Sequence, residues 1–206
     1  MTTIALVVDA QIDFCEGWAL PVLGGEAVSR AIGDVIGAGG YETVIASRDA
    51  HNPLPDTNGG HFAAMGVQPD WHATWPVHCV DGTPGAGYHP SVAAALPEDT
   101  VHVREGAGRP SYSALEGVTE DGGSLHDFMV ARYSEGAELE VHLMGLATDY
   151  AVLATALGLR ALLPKARVVL LAGLCAGVHQ DTTEAVRQMI DAGVRVVTGP
   201  AAVART

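Results

Sequence analysis

Six short apolar runs, spaced along the whole chain and separated by stretches of different period, constrain this sequence most. They are 4–8, 43–46, 100–103, 141–144, 167–172 and 194–197. Ile4 to Val8 is a continuous aliphatic run, rich in branched residues and without polar alternation. A strand of that kind has both faces buried, as in a parallel sheet covered by helices. The intervening segments 24–36, 125–133, 150–162 and 182–192 carry apolar residues at helical spacing. In the last, Asp181 reads as the N-cap and Gly193 as the stop. Strands alternating with helices, with no hairpin signals, predict a three-layer α/β/α sandwich around a parallel six-stranded sheet. A chain of 206 residues, 48% apolar, suffices for one such domain over 1–206.

Residues 50–98 break the rhythm. Pro, Gly, Asp and His are dense there and periodicity is weak. A loop of that length in a compact domain is usually functional.

The formal net charge of −13 argues against nucleic acid and anionic membrane surfaces as partners. The N-terminus does not read as a secretory signal, and no apolar run approaches a membrane span. A cytoplasmic protein is expected. Cys15, Cys79 and Cys175 are odd in number and lack metal-ligand pairing, so a disulfide framework is not expected. Lys165 is the single lysine and precedes a predicted strand. It should therefore lie at the sheet end away from the strand C-termini, where ligands bind in such folds.

Those C-termini carry ionisable groups: Asp9, Asp49 and the pair Arg104-Glu105. Beside them, Asp49 and His51 stand two apart, which puts both side chains on one side of an extended segment. His61 and His78 follow in the long loop. Imidazole with carboxylate suits Zn²⁺, Fe²⁺ or Mn²⁺, although by spacing alone a loop histidine is more often solvated. His72 and His89 are read as ordinary loop histidines.

The segments VVDAQIDFCEG (7–17), SRDAHNP (47–53), GGHF (59–62), WPVHCVDGTPGAGYHPSV (75–92), SYSALEG (111–117), GLATDYAV (145–152) and CAGVHQDTTEAV (175–186) resemble those of the isochorismatase-like cysteine hydrolases. The resemblance is strongest to the nicotinamidases (pyrazinamidases), in their order and over nearly the whole chain. It implies metal ligation by Asp49, His51, His61 and His78, with zinc foremost and iron or manganese as alternatives. It implies a pocket of Phe14, Trp75, Tyr112 and Tyr150 that clamps a flat heteroaromatic or cyclic ligand. It further implies backbone oxyanion donors at Ala147 and Ala151, a cis peptide before Ala147, and a homo-oligomer.

The catalytic triad departs from that family. Asp9 matches its aspartate, but its lysine falls on Glu105 and its nucleophilic cysteine on Ala151. Alanine has no lone pair, so attack by a thiol at 151 is excluded. An engineered trapping replacement would change the cysteine alone; the second change, at Glu105, favours natural divergence. Two readings follow. One is a metal-dependent hydrolase or lyase in which Asp9 and Glu105 act as acid and base. The other is a pseudoenzyme that binds a heteroaromatic ligand unchanged.

Overall fold

The computed structural model describes residues 1–133 and 138–199. Seven strands form one sheet in the order β4-β3-β2-β1-β5-β6-β7. They are β1 (Thr2–Val8), β2 (Thr43–Asp49), β3 (Val101–Glu105), β4 (Val118–Thr119), β5 (Leu139–Leu146), β6 (Arg167–Ala176) and β7 (Arg195–Val197). Six of them run parallel, as the apolar runs predict. The seventh, β4, is a two-residue antiparallel edge on β3, too short to leave a pattern in the sequence.

The helices are α1 (Gly25–Gly37), α2 (Pro90–Ala95), α3 (Leu125–Tyr133), α4 (Leu153–Leu162) and α5 (Thr183–Asp191). Side chains alternate along each strand, so every buried strand feeds two cores. Ile4, Leu6, Val8, Leu143 and Leu170 face Leu125, Met129, Ala156, Leu159 and Met189 of α3, α4 and α5. Ala5, Val7, Ala46, Met144 and Val169 face Ile32, Ile36 and Val92 of α1 and α2. Two apolar layers on one sheet give the three-layer sandwich. Among the described residues, no helix is long and apolar enough to cross a membrane.

Two local readings are corrected. Helix α2 lies inside the stretch read as loop, nucleated by Pro90 at its start and by His89, whose Nδ1 accepts the Ser91 N–H at 3.2 Å. Six residues among prolines and glycines are too few to show a helical period. At α5 the capping position is Thr182, while Asp181 Oδ1 accepts the Thr183 N–H at 2.9 Å from one residue further out. Gly193, at φ +86°, ends that helix as expected.

The sheet grows outward from β1 in both directions, so the strand order reverses between β1 and β5. Ligands bind at such a switch point, beyond the strand carboxyl ends. The two strands lie close together where Val8 pairs with Gly145. Gly145 has φ +136°, and a Cβ there would strike the Val8 backbone. The turn that follows carries the cis Leu146–Ala147 peptide, then a π turn over Thr148–Val152 that leads into α4. Lys165 precedes β6 at the opposite, amino end of the sheet and is exposed. The Gly145→Ala variant is expected to lose at least ~2 kcal/mol of stability, read from its urea midpoint, because both backbone angle and space exclude a side chain.

Candidate active site

Beyond the carboxyl ends of β1, β2 and β5 lies a cavity partly open to solvent. Asp9, Phe14, Asp49, His61, Trp75, His78, Tyr112, Ala147, Tyr150 and Ala151 all line it. His51 stands behind Asp49, fully buried. Glu105 is also buried, but it sits one layer back and reaches the cavity wall through Ser111. Arg104 is exposed and pairs with Asp81, as strand alternation requires.

Asp9 leaves β1 with φ +45°. Its Oδ1 accepts the Ser47 hydroxyl at 2.6 Å. Burial, with the Asp49 charge added, pushes the Asp9 carboxyl well above the usual carboxylate range; the Ser47 bond opposes this only in part. Burial likewise raises Glu105, reinforced by the charges of Asp9 and Asp49. Glu105 Oε2 accepts from Ser111 at 3.0 Å, whereas its Oε1 is buried without a partner.

Asp49 is held by Gln11. The Gln11 amide accepts the Asp49 N–H and donates to the Asp49 and Ala86 carbonyls, all at 2.9 Å. Sequence reasoning missed Gln11, Ser47 and Ser111, because a single polar residue beside a strand end carries no period. It missed Asp13 too, which is buried and accepts the Cys79 N–H at 2.6 Å, fixing the strand of chain beside His78.

Three imidazoles, of His51, His61 and His78, converge with ligand atoms within 4.8 Å of one another. Asp49 Oδ2 lies 3.5 Å from His51 Nε2 and 3.8 Å from His78 Nε2. His51 Nδ1 meets the Gly106 carbonyl at 2.9 Å and His78 Nδ1 meets that of Pro76 at 2.7 Å. A carbonyl only accepts, so each Nδ1 carries the proton and each Nε2 turns a lone pair inward. Gly106 must be glycine here, since a Cβ would crowd the His51 ring.

Burial pushes His61 down to about 3, with His51 adding to the effect, so its ring is neutral. Both His61 nitrogens and His51 Nε2 are buried without partners. Orphaned lone pairs beside a carboxylate, oriented by carbonyls behind them, fit a divalent transition metal. Burial opposes charge on both Asp49 and His51, yet their mutual attraction wins. It holds Asp49 below the usual carboxylate range and raises His51.

A second cluster of Cys15, Glu26 and His89 does not share this character. His89 is buried rather than solvated, a correction to its reading as an ordinary loop residue. Its Nδ1 accepts from Ser91, so Nε2 carries the proton and donates to Glu26 at 3.1 Å. No imidazole lone pair is free there. His72 also does more than expected, stacking on His179 with centroids 5.2 Å apart.

The aromatic wall is braced internally. Trp75 Nε1 donates to the Tyr112 hydroxyl at 2.9 Å, and the Trp75 and Tyr150 rings meet edge to face at 4.7 Å. None of Cys15, Cys79 and Cys175 lines the cavity. Burial raises all three thiols, Cys15 to about 11 and Cys175 to about 12. No thiol therefore reaches the cavity.

Two expectations follow. The protein binds one zinc ion per chain in equilibrium dialysis, and His61→Ala weakens that binding at least roughly tenfold. Gln11→Leu strands the Asp49 N–H and costs about 2–3 kcal/mol in chemical denaturation.

The chain is similar over most of its length to proteins of known activity. The isochorismatase domain family matches residues 3–201. The nicotinamidase/pyrazinamidase of Mycobacterium tuberculosis is 40% identical over 195 residues, covering 93% of this chain and 96% of that protein. The nicotinamidase of Escherichia coli is 35% identical, covering 94% of this chain and 93% of its own. The pyrazinamidase of Pyrococcus horikoshii, solved in complex with zinc, superposes with a TM-score of 0.75 at 29% identity, covering 97% and 100% of the two chains. A protein from L. infantum, solved in complex with nicotinate, gives 0.75 at 30% identity, covering 96% and 92%. With its parallel sheet, its strand-end cavity and these matches, the chain belongs to the isochorismatase domain family, among relatives that are nicotinamidases and pyrazinamidases.

Proposed function

We propose that this protein is a metal-dependent hydrolase of a small pyridine-like or cyclic substrate that works without a cysteine nucleophile. One observation carries the reading. The unpartnered, inward-facing nitrogens of His51 and His61, with Asp49 and His78, adjoin the cavity that also holds Asp9 and the aromatic wall. A divalent ion held by those four residues, zinc foremost, supplies Lewis acidity at the cavity edge.

The remaining work falls to the chain itself. Phe14, Trp75, Tyr112 and Tyr150 clamp a flat ring and exclude water from its faces. The N–H groups of Ala147 and Ala151 face the oxygen that gains charge when a carbonyl carbon becomes tetrahedral. Asp9, made a stronger base by burial, accepts a proton from an attacking water. Glu105, its carboxyl likewise raised by burial, returns one to the leaving group through the Ser111 hydroxyl. Zinc in the Pyrococcus horikoshii relative and nicotinate in the L. infantum one support the same two chemistries here. The quaternary structure is proposed to be a homo-oligomer, by resemblance.

A second reading is favoured by Ala151 itself, which places a methyl group where the resemblance implies a thiol. In that reading the pocket binds a heteroaromatic ligand and releases it unchanged.

Ammonia release from pyridine and pyrazine carboxamides separates the two. The hydrolase releases ammonia when metal-loaded, stops when chelated, and loses at least ~100-fold in the Asp9→Ala variant. Full turnover by chelated protein would overturn the metal-dependent reading. Tight binding with no product from any amide would leave the binder.

A further inference from the structure

We infer that the chain carries a second ligand site outside the strand-end cavity, a groove built on Arg48, Arg104 and Arg109 that takes a phosphate group. It is independent of the chemistry proposed for the cavity.

Arg48 carries the inference. It is the next-to-last residue of β2, in register with Arg104 of β3. Both border one groove with Arg109, which follows β3 in the chain. Three of the ten arginines of a chain with net charge −13 thus meet in one place. Like charges on paired strands repel unless an anion lies between them. The Arg48 guanidinium lies over the Tyr88 ring, 4.9 Å from its centroid, which holds its orientation. Its Nε is buried and has no hydrogen-bond partner, and among the described residues no other arginine nitrogen is in that state. A buried donor without an acceptor is costly, and a charged one more so. An oxoanion from solution removes that cost, because guanidinium forks bind phosphate and carboxylate oxygens in pairs. Phosphate offers more charge and more oxygens than a carboxylate, so it can serve three guanidinium groups at once.

The carboxylates nearby do not fill this role. Asp81 engages Nη2 of Arg104, and Arg109 Nη2 donates to the Glu116 carbonyl at 2.7 Å, so both guanidinium groups keep further N–H donors. Glu116 Oε2 accepts from Ser111 at 2.7 Å, and Glu120 is exposed. Glu105 alternates to the other side of β3 from Arg104 and gives its Oε2 to Ser111. Arg48 Nε reaches none of these oxygens. The competing arrangement is a swing of Arg48 onto the unpartnered Glu105 Oε1, which would consume the donor and leave no anion site.

The test is titration calorimetry of the zinc-loaded protein with inorganic phosphate and with acetate at fixed chloride. Phosphate is expected to bind at least roughly tenfold tighter than acetate, and Arg48→Gln and Arg104→Gln each to weaken it at least roughly tenfold. Arg48→Lys should recover only part of the loss, since lysine lacks the fork. Phosphate should raise the Tm of the wild type and leave that of Arg48→Gln in place. His61→Ala, which weakens the metal site, should leave phosphate binding unchanged. The wild-type titration and the exposed Arg109→Gln variant stand as tests even where an Arg48 variant fails to fold. No phosphate binding by the wild type overturns the inference and leaves Arg48 as the counter-ion of Glu105. Binding lost in His61→Ala and kept in Arg48→Gln places the phosphate on the metal and overturns it as well. Acetate bound as tightly as phosphate overturns the assignment to phosphate.

Discussion

Three carboxylates, Asp9, Asp49 and Glu105, are buried at the carboxyl edge of one parallel sheet, and most of the local structure answers to that constraint. Each ends a strand, because β1, β2 and β3 lie side by side and in register, with Asp49 directly opposite Glu105. Burial of a carboxylate is costly unless it is paired, hydrogen-bonded or neutralised. The three meet the demand differently. Asp49 has the imidazoles of His51 and His78, Asp9 has one serine hydroxyl, and Glu105 has one oxygen bonded and the other bare. The gradient from well-compensated to poorly compensated runs from the imidazole cluster towards Glu105.

That gradient explains the division of labour. Asp49 stays ionised and suits a ligand. Asp9 and Glu105 are both raised above the usual carboxylate range by burial and by neighbouring carboxylate charge. The backbone around them is built for the purpose. Asp9 adopts a left-handed conformation and Gly106 leaves room for the His51 ring. Gly145 lets β5 pass close to Val8, so that Ala147 and Ala151 come within the same cavity.

Much of this was legible in the sequence. The buried strands advertise themselves by continuous aliphatic runs, and their carboxyl ends by Asp9, Asp49 and Glu105. Asp49 and His51 share a side by simple alternation. Resemblance added His61 and His78, whose spacing alone says little. What stayed illegible is of two kinds. Elements of two and six residues, β4 and α2, are shorter than any period that could reveal them. Gln11, Ser47, Ser111 and Asp13 act through one to three hydrogen bonds to partners 5 to 75 residues away, and such pairings leave no local trace. His89 looked like a solvated loop residue because its role, capping α2 while facing Glu26, depends on a helix the sequence did not show.

The imidazole cluster and the turn at Ala151 come from different parts of the chain. His51, His61 and His78 ride on the long connection between β2 and β3, oriented by the Gly106 and Pro76 carbonyls and by the Asp13 anchor. Ala151 and Ala147 ride on the β5–α4 turn, held by the cis peptide and the π turn. The two meet only across the cavity. A side-chain change at 151 alters neither the lone pairs of the imidazoles nor the direction of the backbone N–H groups. In the proposed reading the side chain at 151 is thus separable from the imidazoles, the carboxyls and the aromatic wall. Glu105 is different. It lies in register with Asp49, and the charges of Asp49 and Asp9 both act on it.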